Sequence, residues 1–362
     1  MQWISESNVN IKLVKRRNFI KTISAATVAA TAFPKSLSEK TSLRSKSILK
    51  PPRLKPGDTI ALITPGSYIT EQEKEESINN LRGLGFNVTY SDRLMQKNGY
   101  FSATDEERAA DLNEMFKRKD VQGIMCARGG YGCARILPFL DYDLIEDNPK
   151  VLIGFSDVTA LQYAILKNSN LITFHGPVSI STFSSFSIRN FKSVLLDPTE
   201  ELDLENSHTD NNYNPYGITV IADGKAEGEL VGGNLSIVTS LIGTEYDIDF
   251  SGKIIFLEEF LEEPYRVDRM LTQMIQAGKF ENATGIALGV FKLCEPNKTN
   301  PAFNSSFSLM DVLKDRLGKL GIPVIYGLSF GHIADKFTLP FGIKAELNSD
   351  TKQIKLLESG VL

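Results

Sequence analysis

From residue 56 onward, short apolar runs alternate with longer stretches in which apolar positions recur every three or four residues. "TIALITPG" is an apolar run closed by Pro-Gly, which predicts a buried parallel strand ended by a turn. Residues 71–84 follow with Ile78, Leu81 and Leu84 at helical spacing. "FNVTYS" then predicts a strand, "DEERAADLNEMFKRKDV" a charged amphipathic helix, and "GIMCARGG" a further strand. "VLIGFSDVTALQYAI" joins an apolar run to a helical pattern through a small polar knot, and "LITFHGP" predicts the next strand. Strands alternating with helices imply βαβ units and a parallel sheet. In such sheets chemistry collects at the carboxyl ends of the strands. Three turns lie there: Thr64-Pro65-Gly66, Arg128-Gly129-Gly130-Tyr131-Gly132 and Gly154-Phe155-Ser156-Asp157.

The texture then changes. Residues 183–216 are polar, Asn-rich and turn-rich, and predict a crossing between an N-terminal parallel α/β sandwich domain at 51–182 and a strand-rich α+β C-terminal domain at 217–362. The C-terminal part mixes short strands with glycine turns and one clear helix, "YRVDRMLTQMIQAGKF", closed by a glycine. No internal repeat is visible.

The first 32 residues stand apart. Arg16-Arg17 precede Phe19, Ile20 and Lys21, then a modest apolar stretch and Ala30-Thr31-Ala32. This looks like a twin-arginine export signal with a small-residue cleavage site, and predicts a periplasmic destination. A basic amphipathic first helix, in a cytoplasmic protein, is the plain alternative. Residues 33–50, rich in Ser and Lys, predict a flexible spacer.

The formal net charge of the 362-residue chain is −4. The first 32 residues are basic, which leaves about −8 on the remainder, so a nucleic-acid partner is disfavoured. No stretch approaches the roughly 20 apolar residues of a membrane span. Cys126, Cys133 and Cys294 have neither a CxxC pair nor zinc-ligand spacing, and their odd number argues against a disulfide framework. Metal chemistry is poorly supported.

Two explanations compete for the polar knot. Ser156 or Asp157 could cap the helix that follows. Alternatively, Ser156 is a nucleophile lifted out of a tight strand-to-helix turn, although only the glycine before it fits G-x-S-x-G. A nucleophilic serine needs a base, and the chain has three histidines, His175, His208 and His332. His208 lies in the polar crossing, and His175 follows a strand where a structural role is equally at home. His332 follows an apolar strand and a glycine, in a loop that a scaffold could fix. A carboxylate must orient the base. Glu258 ends the run "KIIFLE" and could serve, or could be a surface acid paired with Arg266 or Arg269. The adjacent Gly129 and Gly130 can present backbone N–H groups as an anion nest or oxyanion hole. A phosphate loop is the rival, but neither of its glycine patterns is present.

Taken with "GGNLSIVTSLIGT", "IFLEEFLEEPYRVDRMLTQM" and Gly331-His332, these motifs resemble the LD-carboxypeptidases, in order, from about Pro51 to the C-terminus. The resemblance implies a Ser-Glu-His triad at Ser156, Glu258 and His332, with Glu258 favoured over Glu259. It implies oxyanion donors at the N–H of Asp157 and of Gly129 or Gly130. It also implies a C-terminal domain smaller than the N-terminal one, a murein peptide as partner, no cofactor and no metal; a homodimer is compatible with it. The expected reaction releases terminal D-alanine from murein tetrapeptides in cell-wall turnover. Two alternatives remain open: a related hydrolase of peptide-nucleotide antibiotics, and a non-catalytic exported solute-binding protein.

Overall fold

A computed structural model describes residues 48–207, 217–299 and 301–362. The expected export signal, the spacer up to residue 47, and His208 lie outside the described residues. Five strands form a parallel ladder in the order β2-β1-β3-β4-β5. They are β1 (Thr59–Ile63), β2 (Asn87–Thr89), β3 (Gly123–Cys126), β4 (Val151–Gly154) and β5 (Phe174–His175). Helices Glu71–Gly83 and Asp105–Lys117 connect the early strands. Each begins with a capping box, Thr70 with Glu73 and Thr104 with Glu107, in which side chains and backbone N–H groups satisfy each other reciprocally.

The second sheet has eight strands: β6 (Leu202–Leu204), β7 (Thr219–Ala222), β8 (Lys225–Asn234), β9 (Lys253–Phe260), β10 (Gly285–Lys292) and β11 (Val324–Gly331), then β13 (Lys344–Asn348) and β14 (Gln353–Leu356). Between them in the chain, β12 (Leu339–Pro340) returns to the first sheet and pairs antiparallel with β5. The order in the second sheet is β6-β14-β13-β8-β9-β10-β11-β7. Its centre, β8 to β11, is parallel, so the carboxyl ends of these strands share one edge.

The segment expected as a turn-rich crossing holds more structure than that. Residues Ser185–Leu195 form a helix, and 202–204 form β6. The serines and asparagine that gave the segment its polar texture are partly structural: Ser184 caps the helix through the Ser187 N–H, and Phe186, Phe191, Val194 and Leu195 are buried. Residues 48–50, at the end of the segment expected as a spacer, are joined to the fold. Leu49 forms a parallel bridge with Leu171, and Lys50 pairs with Glu358 at 2.6 Å.

The two sheets meet through aromatic side chains. His175 of β5 lies 5.3 Å from Phe256 and 6.2 Å from Phe330, ring centre to ring centre, while Phe256 packs on Phe341 at 5.1 Å. Residues 46–362 accordingly group as one compact unit. Cys126, Cys133 and Cys294 are buried free thiols. Among the described residues no helix is long and apolar enough to cross a membrane.

The Leu49 bridge sets a testable boundary. Leu49 donates to Asn170 O at 2.8 Å and accepts from Ile172 N at 2.9 Å. A chain beginning at residue 51 loses both bonds and the Lys50–Glu358 pair, and should be about 2 kcal/mol less stable than one beginning at residue 48. Thermal melts of the two truncations, differing by several degrees, check this.

Candidate active site

The parallel architecture places the carboxyl ends of β1, β3 and β4 together, and the turns that follow them converge. β4 ends at Gly154, and Phe155 remains extended at φ −149°. Ser156 then takes φ 65°, a left-handed conformation that costs a non-glycine residue about 1–3 kcal/mol. The next residues form a single 3-10 turn, Ser156–Val158, that runs into the helix Thr159–Ser169. Ser156 does not cap it: neither helix start has a side-chain cap, and Ser156 Oγ makes no hydrogen bond among the described residues. A capping serine would sit in extended backbone. This one is strained and unengaged.

Asp157 takes another task. Its buried carboxylate accepts from the N–H of Cys133 at 2.8 Å, tying the glycine loop after β3 to the serine turn. Burial raises its pKa. Its backbone N–H lies in the first helical turn, where N–H groups lack intrahelical acceptors. The two loop glycines are not equivalent. A Cβ on Gly129 would lie 3.1 Å from Ser156 Cβ and 3.2 Å from Asp157 N, so this glycine backs directly onto the serine turn. Gly130 adopts φ 87° and faces Ser67, with which a Cβ would collide. The N–H groups of Gly129 and Gly130 donate to no acceptor among the described residues.

The second sheet brings the histidine and the carboxylate expected to act as base and as its orienting acid. β9 delivers Glu258 and Glu259, and β11 runs directly into His332. His332 Nδ1 lies 2.7 Å from Glu258 Oε2, with Glu258 fully buried and His332 18% exposed. A Cβ on Gly331 would lie 3.0 Å from that same Oε2, so only glycine permits this approach. Burial would raise the Glu258 pKa, but the charge and hydrogen bond of His332, with His175 and Asn234 behind them, outweigh it and hold the carboxyl below its ordinary value. With Nδ1–H donating to Glu258, Nε2 keeps its lone pair. The imidazole is also clamped: Phe260 stacks on it at 4.6 Å and 10°, and Phe155 meets it edge-on at 4.8 Å.

Glu259 points elsewhere, as the alternation of a strand requires. It accepts from the N–H of Ser236 at 2.8 Å, its hydroxyl at 2.7 Å, and the N–H of Phe260 at 2.8 Å. Neither Arg266 nor Arg269 reaches Glu258; Arg266 pairs with Glu262. His175 sits beneath the site, 1% exposed, with both ring nitrogens unpartnered and its pKa pushed down to about 4 by burial. Among the described residues it has neither a carboxylate to orient it as a base nor a hydrogen-bond partner that would make it a strut.

The sequence motifs contained, but did not reveal, the residue that joins these parts. Asn234 donates through Nδ2 to Glu258 at 3.2 Å and Glu259 at 3.1 Å, and through its backbone N–H to Thr159 Oγ1 at 3.1 Å. Its Oδ1 caps the helix Leu235–Leu241. The available signal was an Asn between two glycines and a helical apolar run, which reads as a cap alone. Chemically, the assembly can orient a histidine as a proton acceptor and offer backbone donors to a developing anion beside an unbonded serine hydroxyl.

Comparison with known proteins gives a consistent picture. Residues 60–176 match the LD-carboxypeptidase N-terminal domain, and residues 227–347 match the LD-carboxypeptidase C-terminal domain. The Bacillus subtilis (strain 168) "Probable murein peptide carboxypeptidase" is 38% identical over 86% of this chain and 95% of its own. The murein tetrapeptide carboxypeptidase of Pseudomonas aeruginosa is 28% identical over 80% of this chain and 93% of its own. Among solved structures, MccF in complex with glutamyl sulfamoyl guanosine superposes with a TM-score of 0.78 at 27% identity, covering 87% of this chain and all of that one. The muramoyltetrapeptide carboxypeptidase of Oxalobacter formigenes gives 0.70 at 31% identity, over 82% and 97%. With both domains matched in order, and relatives covered nearly end to end, the chain belongs to the LD-carboxypeptidase family of peptidases.

Proposed function

We propose that this chain is a serine-type LD-carboxypeptidase that hydrolyses the amide between an L-configured centre and the terminal D-alanine of murein tetrapeptides. The observation that carries the reading is the His332–Glu258 pair, buried at the strand ends and packed through Phe155 against a serine held at φ 65°. Ser156 Oγ adds to the scissile carbonyl carbon while His332 Nε2 takes its proton. The tetrahedral oxyanion accepts from the N–H of Asp157 and of the Gly129-Gly130 pair. The C–N bond breaks as His332 returns the proton to the departing D-alanine amine, and water repeats the sequence on the acyl-serine. Glu258 fixes the tautomer and stabilises the imidazolium. Serine and histidine make no hydrogen bond here, and such bonds often tighten only when substrate binds.

One observation favours a second substrate class. Tyr100 and Tyr131 are 60% and 51% exposed, their rings 5.8 Å apart, beside the glycine loop. They form an aromatic platform suited to a nucleobase, as in a hydrolase of peptide-nucleotide antibiotics. The "Microcin C7 self-immunity protein MccF" of Escherichia coli, 30% identical over 87% of this chain, is a relative, and a solved MccF structure is a complex with aspartyl sulfamoyl adenosine. We further propose that residues 1–32 direct export through a twin-arginine signal.

D-alanine release from murein tetrapeptide, set against hydrolysis of an aminoacyl sulfamoyl adenosine, decides between the substrates. Ser156→Ala and His332→Ala should each lose on the order of 10⁴-fold or more in kcat while melting normally, and Glu258→Gln about 10³-fold. Near wild-type rates in the first two would refute the serine mechanism. Gly129→Ala should fold and lose about 10²-fold in kcat, because its methyl presses on the oxyanion donors. Gly130→Ala should chiefly lower the melting temperature, through its positive φ and the contact with Ser67. Replacing Arg16 and Arg17 by lysine should retain the protein inside the cell; an unchanged periplasmic yield in fractionated cells would sink the export proposal.

A further inference from the structure

Three cationic side chains are buried among the described residues: Arg108, Lys150 and Lys336. Two have evident partners. Arg108 pairs with Asp105 and donates to the carbonyls of Pro65 and Gly132. Lys150 donates to the carbonyls of Arg118 and Val121. Lys336 is 5% exposed, yet its ammonium makes no ion pair and no hydrogen bond among the described residues. A buried charge is expensive unless something pairs with it.

The position of Lys336 is fixed. Its backbone N–H donates to Ser187 Oγ at 2.9 Å, Ser187 Oγ donates to Ala334 O at 2.8 Å, and Phe337 N donates to Ser329 O at 2.7 Å. The loop after His332 is thereby anchored to the helix Ser185–Leu195 and to β11. The Lys336 Nζ rests 4.6 Å from the centre of the Phe155 ring, the residue immediately before Ser156 and the one that packs on His332. The nearby acid, Glu258, is already engaged by His332 and Asn234.

We infer that Lys336 binds the free carboxylate at the C-terminus of the substrate, and so makes the site an exopeptidase site. The inference rests on the carboxypeptidase reading above. In a peptide cut at its last bond, the terminal carboxylate is three bonds from the carbonyl carbon under attack, so its receptor must lie within one residue of the nucleophile. The Phe155 ring that carries the ammonium also meets the His332 imidazole, at 4.8 Å between ring centres, which sets the cation close to the pair that would act on the scissile bond. The ring face also holds the cation by a cation–π contact while the anion is absent. Burial first, and the positive charge of Lys292 at the end of β10 as well, push the Lys336 pKa down to about 8, against the opposing pull of Glu258 on β9. His332 and His175, packed on the same Phe155 ring, are the other titratable groups around it. Lys336 is therefore charged below about pH 8 in the free enzyme, and carboxylate binding is present there and lost as pH rises above it.

The test compares murein tetrapeptide as the free acid with the same peptide carrying a C-terminal carboxamide, in the wild type, Lys336→Met and Lys336→Arg. The wild type should prefer the acid by about 100-fold in kcat/KM, mostly through KM. Lys336→Met should bring the acid down to the level of the amide, leave turnover of the amide within a few-fold, and melt no lower than the wild type. Lys336→Arg should keep the preference for the acid and lose the fall in kcat/KM above about pH 8, since arginine stays charged. A Lys336→Met enzyme that retains the wild-type ratio of acid to amide overturns the inference, and so does one that loses both substrates equally. A wild type that cleaves neither peptide overturns the carboxypeptidase reading itself, and the inference falls with it.

Discussion

The active edge depends on how Asn234 is held. It follows Gly232 and Gly233, both at positive φ, where a Cβ would collide with the Phe256 carbonyl or sit 2.5 Å from the Thr159 hydroxyl. Because these two positions lack side chains, the end of β8 lies against β9 on one side and against the start of the helix Thr159–Ser169 on the other. Asn234 then engages its backbone N–H and both side-chain polar atoms: with Thr159, with both glutamates and with the helix Leu235–Leu241. A fully buried carboxylate such as Glu258 is tolerable only when its lone pairs are occupied, and Asn234 with His332 occupies them. One residue, through its backbone N–H and its side chain, thus ties the helix that follows the serine turn to the two glutamates of the second sheet.

Strands β1, β3 and β4 of the first sheet were legible because each is a short apolar run with glycine or proline close behind it, the mark of a strand covered on both faces. The helix Ser185–Leu195 was not, because its serines and asparagine read as turn formers until their caps and buried faces are seen. β12 is two residues long and contains proline, so it carries almost no local signal. At the site, the adjacency of Glu258 and Glu259 shows where sequence reading stops. Alternation puts them on opposite faces, but which face meets His332 depends on register with β8 and β10. His175 and Lys336 owe their character to rings contributed from distant parts of the chain, and nothing beside them in sequence announces those neighbours.

The serine turn and the imidazole are constrained in complementary ways. Ser156 is strained in its backbone and free at its hydroxyl, whereas His332 is fixed by stacking, by an edge contact and by a charged hydrogen bond. Freedom is thus confined to one rotatable bond, χ1 of Ser156, in surroundings that are otherwise set before any ligand arrives. Preorganisation of this kind spares the cost of reorienting dipoles during a reaction.

The three thiols have a consequence for where the chain can take its shape. Cys126, Cys133 and Cys294 are buried and unbridged, and burial raises all three thiol pKa values, that of Cys294 to about 12. Thiols held protonated are poor nucleophiles and poor partners for exchange. Nothing in the architecture waits on an oxidant, and nothing in it is undone by a reductant. The fold is indifferent to redox potential, and the same structure is attainable on either side of a membrane that separates a reducing compartment from an oxidising one.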